Sequence, residues 1–297
     1  MITLSNLITR LPSGIVQGII WGIMALGVYL TFKILHISDL SVDGSFSSGG
    51  IVSVMLITAN INPLLSLTAS FIFGLLIGTT TALLHTKAKI PAILAGILVQ
   101  FGLYSLKLKL TNGSANVGCN PDVFNLLVSA RNINSSLITL LIIAAILTVL
   151  IYWFFGTNIG RAIRACGNNG QMSTAMGINN NTCKIITLAL SNGLVALSGG
   201  LMSQYQGFCD INMGKGAIVI GLAAIIIGEC IVKFLLPKCT NFYVRLTSTI
   251  VGGIIYYIVM VIILWLRINS NDLKLFTAII VAVFLALGNA NKEMEGQ

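Results

Sequence analysis

Leu137–Phe155, LITLLIIAAILTVLIYWFF, carries no charged residue, and one glycine later comes Thr157–Lys184, TNIGRAIRACGNNGQMSTAMGINNNTCK. At about 1.5 Å per helical residue the first stretch is long enough to cross a bilayer core of roughly 30 Å. The second is small, amide-rich and basic, and it contains no Asp or Glu. A connection between two helices needs only about 2–8 residues, so this one is expected to carry its own structure and to meet another protein. Ile159, Ile163 and Met172, set among Arg161 and Arg164, read as a short amphipathic helix. Ala175, Met176 and Ile178 form a second apolar patch, interrupted by Gly177.

The rest of the chain repeats the first pattern. Hydrophobic residues make up 56% of it, charged residues 8%, and mean hydropathy is +0.95. So few charges would not cover the surface of a soluble domain of this size. A transmembrane barrel would show alternating ten-residue segments, not solid apolar runs. The expectation is an all-α, polytopic membrane protein with about 8–10 transmembrane helices, its residues 1–297 forming one transmembrane domain. The formal charge of +9 comes from single bases flanking apolar segments, which are topology signals; no basic patch with interleaved aromatics points to nucleic acid. MITLSNLITRLPSG, with one base and no small-residue cleavage site, does not read as a removable signal peptide.

Spans are expected near 14–35, 43–59, 64–84, 91–106, 137–155, 185–206, 217–236, 246–266 and 273–289. Placing 157–184 in the cytoplasm puts the N-terminus outside and gathers Lys33, Lys87, Lys89, Arg161, Arg164, Lys184, Lys233, Lys238, Arg245 and Lys292 inside, the majority of the 17 bases. The second and fourth spans are short, and Ser45–Gly50, SFSSGG, suggests a broken or re-entrant second helix. Asp39–Ser45, DLSVDGS, and Cys209–Gly216, CDINMGKG, are Asp- and Gly-bearing joints between helices of opposite sense. They fit an inverted repeat, and equally the ordinary taste of turns for Asp, Asn and Gly.

Catalysis finds little support. The chain has no CxxC, HExxH, GxSxG or GxxxxGK[ST], and His36 and His85 have no second ligand at metal spacing. Cys119 and Cys209 alone among the six cysteines fall outside in this topology; a bridge between them is open, and unpaired small hydrophobes are the plainer expectation. Glu229 lies in or beside an apolar run, where a carboxylate is by default functional, but Lys233 at i+4 offers it an ion pair. Asp39 and Asp43 precede the second span and are expected to cap it. Gln17, Ser47, Gln100, Tyr104, Asn192 and Gln204, with Glu229, are polar groups within spans that suit a pathway for a small polar solute; singly, each is as easily interhelical glue.

Gly160–Cys166, GRAIRAC, then Asn168, Ala175 and Gly177-Ile178-Asn179, resemble the cytoplasmic coupling segment in permease subunits of ATP-binding-cassette importers of the branched-chain amino acid and ribose type. Asp39–Phe46, DLSVDGSF, Leu84–Leu98, LHTKAKIPAILAGIL, Ile218–Glu229, IVIGLAAIIIGE, and Asn271–Leu275, NDLKL, match too. The resemblance covers nearly the whole chain and is nearest the subgroup associated with tryptophan or tyrosine uptake. The loop at 107–136, containing KLTNGSANVGCNPD, departs from it.

The resemblance implies a multi-pass bacterial plasma-membrane (inner-membrane) permease that pairs with a second copy, a cytoplasmic ATPase and an extracytoplasmic solute-binding protein. It implies no cofactor on this chain, since ATP sits on the partner subunit. Gly160, Arg161, Ile163, Arg164, Asn168, Ala175, Met176, Gly177 and Ile178 would then engage the ATPase, with an apolar helix face in a groove. The main alternative is a self-contained secondary transporter using Glu229 as its coupling carboxylate.

Overall fold

The computed structural model describes residues 4–265 except 121–123, 125 and 236–240, together with a few positions between 275 and 282; side chains are described from Arg10 onward. Long helices dominate because the apolar runs leave the backbone no water to bond, so each segment must satisfy its own N–H and C=O groups. They are α1 (Leu4–Tyr29), α2 (Val42–Thr58), α3 (Pro63–Thr86), α4 (Ala92–Leu110), α5 (Ile133–Gly156), α8 (Asn180–Gln206), α9 (Ala217–Leu235) and α10 (Phe242–Trp265). Two short helices, α6 (Asn158–Asn168) and α7 (Gly170–Ala175), occupy the amide-rich segment, and strands β1 (Asn116–Gly118) and β2 (Phe208–Asp210) pair antiparallel at the other end. Among the described residues, 7 helices are long and apolar enough to cross a membrane, and α2 is a shorter apolar helix. The expected spans match these eight helices within a few residues, except that α1 starts earlier. The ninth, 273–289, lies mostly outside the described residues, as do Lys238, Cys239 and Lys292.

The core lies where α1 and α8 cross the bundle: Val16, Ile20, Met24 and Leu26 on α1 and Val195 and Leu201 on α8 are buried. α5 is the reverse, with Ile138, Ile142, Ile146 and Trp153 exposed as an apolar face suited to lipid. α2, α3 and α8 approach closely through small residues, as helices in lipid must when no hydrophobic effect drives them together. At Gly199 a Cβ would stand 1.9 Å from the Phe46 carbonyl oxygen, so only glycine permits this crossing.

Two units run in opposite senses. α1 continues through a π-helical turn, Leu30–Ile34, to the α6–α7 end, and the non-helical Leu35–Ser41 then climbs back into the bundle. α2 starts only where Ser45 meets Asn192, midway along α8 and roughly 18 Å from its start at 1.5 Å per residue. α8 runs the other way to the β1–β2 end, Phe208–Lys215 descends again, and α9 starts against the beginning of α2. The discontinuity expected in the second span therefore precedes it: α2 is continuous through Ser45–Gly50, whose glycines serve close packing instead of a break.

Candidate functional site

The meeting of α2 and α9 builds the first part of the site. Two helix N-termini, each carrying unpaired N–H groups and a partial positive charge, face one another inside the bundle. Asp43 resolves the conflict. Its Oδ2 accepts from Gly216 N at 2.9 Å and its Oδ1 from Ile218 N at 3.0 Å, so the carboxylate from α2 caps α9. Its expected role as a cap of its own helix is thereby corrected: the N-cap of α2 is Ser41, with no side-chain cap bond. Asp39 lies just ahead, buried, and its Oδ1 accepts from Ser41 N at 2.9 Å and Ser41 Oγ at 2.6 Å.

Asn192 locks this joint to α8. Its Nδ2 donates to Asp39 Oδ2 at 2.7 Å and its Oδ1 accepts from Ser45 Oγ at 2.5 Å. Gln204, also fully buried, donates to Pro63 O at 3.2 Å and to Ser66 Oγ at 3.2 Å. Both face neighbouring helices, because α8 is enclosed by α1, α2 and α3, and both act as glue between them. Gln17 is half-buried on α1, away from the cavity described next.

Three of the expected pathway residues do come together. Ser47, Gln100 and Tyr104 line a cavity of about 300 Å³ with Asp43, Ile97, Phe101, Lys107, Ile211, Asn212 and Lys215. α4 supplies one wall, since Gln100, Tyr104 and Lys107 recur at i, i+4 and i+7 on one helical face. Lys107 is 4% exposed, and its Nζ donates to Ser47 Oγ at 2.7 Å and to Ile211 O at 2.9 Å. The sequence reading missed this residue. A span ending at 106 leaves Lys107 as a flanking charge, whereas α4 continues to Leu110 and carries the ammonium into the bundle. Its helical phase with Gln100 and Tyr104 was the available signal.

The second part is a bracket formed by α6 and α7. Thr157 caps α6 by accepting from Gly160 N at 3.3 Å, and Asn169 caps α7 by accepting from Gln171 N and Met172 N. Ile163 is fully buried in the main core and Gly160 is also buried, so this apolar face of α6 is spent on the bundle and is unavailable to a partner's groove. Arg164 turns inward as well, donating from Nη2 to Phe155 O at 2.5 Å while its guanidinium lies 5.4 Å from the Phe242 ring centroid. Ile178 packs partly against the core. Arg161, Asn168, Ala175, Met176 and Gly177 are exposed, and Ile159 and Met172 join them at 52% and 63% exposure.

The bracket touches the spans at defined points. A Cβ on Gly167 would stand 1.7 Å from the Ile34 carbonyl oxygen, so α6 rests directly on the backbone that ends α1. One residue earlier on that turn, Lys33 Nζ donates to Glu229 Oε2 at 2.7 Å. Glu229 thus sits at the bracket end, away from the cavity, and its ion pair joins α9 to the π-helical turn that follows α1, a contact that the i+4 spacing to Lys233 did not anticipate. At the other end Cys119 and Cys209 are free, buried thiols in one apolar cluster, and burial pushes both above the usual thiol range, Cys209 to about 12. Asn271–Lys274 lie outside the described residues.

Residues 11–287 match the family described as branched-chain amino acid transport system / permease component. The chain is 40% identical to the tyrosine transport system permease protein of Clostridioides difficile, over 93% of this chain and 90% of that one. It is 29% identical to the ribose import permease protein RbsC of Escherichia coli K12, over 65% of this chain and 59% of the relative. Its fold is similar to PsaBC from Streptococcus pneumoniae in complex with Fab, with a TM-score of 0.53 and 15% identity over 96% of this chain and 95% of that one. With its apolar helices, the chain belongs to this permease family and is the integral, multi-pass inner-membrane permease subunit of an ABC-type transporter.

Proposed function

We propose that the chain forms the solute pathway of an importer and is driven through the α6–α7 bracket by an ATPase on a separate subunit. A second copy of the permease completes the pathway, a solute-binding protein delivers cargo at the β1–β2 end, and the cargo is an aromatic amino acid. The observation that carries this reading is the exposed bracket surface: Ile159, Met172 and Met176, the last 73% exposed, with Arg161 beside them and no carboxylate in the segment. Flexible thioethers and a single cation suit a contact that must persist while the partner changes shape.

Motion of such a partner has firm routes into the spans. Gly167 bears on the end of α1, and Arg164 ties α6 to α5 and α10. The pathway assignment rests on the cavity at the α2–α4–α9 junction, and the amino acid assignment is supported by the similarity to a tyrosine transport permease.

The test is Arg161→Glu with Met176→Glu, two exposed positions whose change leaves the bundle packing untouched. Co-expressed with the ATPase, the double variant is expected to insert normally and to lose at least tenfold of the co-purifying ATPase. Undiminished co-purification would refute the bracket as the docking site.

A further inference from the structure

We infer that the cavity at the α2–α4–α9 junction recognises a solute by its carboxylate, with Lys107 as the direct ligand and the ring of an aromatic solute lying on Phe101 and Tyr104. This deepens the pathway reading above and rests on it. An ammonium buried within a membrane-spanning helix is costly unless it is paired or used, and such groups mark sites. Lys107 has three donors; Ser47 Oγ and Ile211 O take two, which fixes the head while leaving one donor for the cavity it lines.

The other charges around the cavity agree. Asp43 is the acidic group among the lining residues, and both its oxygens are engaged by Gly216 N and Ile218 N at the start of α9. Its negative charge is therefore spread over two opposed helix N-termini, which by themselves favour an anion. Lys215, exposed on the rim, adds a second cation. Asp210, whose Oδ1 accepts from Asn212 N, also acts on Lys107, so the formal charges cancel and the positive balance left to the solute is that of the two helix N-termini. A carboxylate completes it, whereas an amine lacking a carboxylate is repelled, and a neutral sugar can accept from Lys107 through a hydroxyl but leaves its charge unmatched. Ile97, Phe101 and Tyr104 supply an apolar and aromatic wall for the remainder of the solute.

The full-length permease in nanodiscs, without any binding protein to impose its own selection, is titrated with radiolabelled L-tyrosine and challenged with competitors. 3-(4-hydroxyphenyl)propionate, which keeps the carboxylate and lacks the amine, is expected to displace the label; tyramine, which keeps the amine and lacks the carboxylate, is expected to be at least tenfold weaker. Lys107→Met should lose at least tenfold in tyrosine affinity and Lys107→Arg should restore most of it. The competitor comparison on the unaltered protein decides the matter even if Lys107→Met fails to fold. Tyramine competing as well as the acid, or Lys107→Met binding tyrosine normally, would overturn the inference while leaving an amino acid pathway in place. Binding of D-ribose with no binding of tyrosine would overturn the amino acid reading, and this inference with it.

Discussion

The junction cavity and the α6–α7 bracket are built from the same kinds of residue, amides, small side chains and scattered bases, yet they use them in opposite ways. At the junction Asp39, Asn192 and Ser45 are buried and hydrogen-bonded to one another and to Ser41, and a buried cation, Lys107, is held facing a cavity. In the bracket the amide Asn169 caps the short α7 and Asn179 caps the start of the long α8, while Met172, Met176 and Arg161 remain exposed. Where there is no water, polar groups must be matched inside the protein and so fix geometry. At the aqueous end they need no such partners and leave a surface for another chain.

Asn192→Leu should be the most damaging single change to this contrast, because it removes a buried side chain whose hydrogen bonds reach the Asp39 carboxylate, Ser41, Ser45 and the Leu188 carbonyl. Each orphaned group costs about 1–3 kcal/mol, more when charged. Thermal unfolding in detergent should show a loss of several kcal/mol, of order 3, or no recoverable folded permease; a variant as stable as the parent would mean that the junction is not held by this network.

Gly167→Val should come next, and its effect should be on coupling more than on folding. The added carbons collide with the Ile34 carbonyl, so α6 must lift from the end of α1. ATPase subunits are expected still to co-purify while solute uptake per ATP falls at least tenfold; uptake at the parental ratio would show that force does not pass through this contact. The mildest is Arg164→Lys, which keeps the charge but replaces the flat guanidinium over Phe242 and its bond to Phe155 O. A destabilisation of about 1 kcal/mol is expected from denaturant unfolding, with ATPase association retained. If association were lost instead, Arg164 would belong to the docking surface and not to the bundle.

The helices were legible in the sequence because an apolar run long enough to cross a bilayer has few other uses. The bracket was legible because its length and lack of acidic residues had no place in a plain connection. What escaped were contacts made across the fold. Lys107 looked like the end of a span because only its phase with Gln100 and Tyr104 betrayed it. Asp43 caps a helix 173 residues away, and Glu229 finds Lys33 at a separation of 196. Arg164 turned from a docking charge into a staple once Phe155 and Phe242 were placed beside it. A single sequence displays neighbours at i+3 and i+4; it does not display which helix faces which.

The division of labour is tested most directly by measuring ATPase co-purification and solute uptake side by side in the reconstituted complex, for the Arg161→Glu, Met176→Glu bracket variant and for Lys107→Met. The bracket variant should lose both, and Lys107→Met should keep its ATPase while losing at least tenfold of uptake. A bracket variant that retains its ATPase, or a Lys107→Met permease that transports normally, would contradict the account.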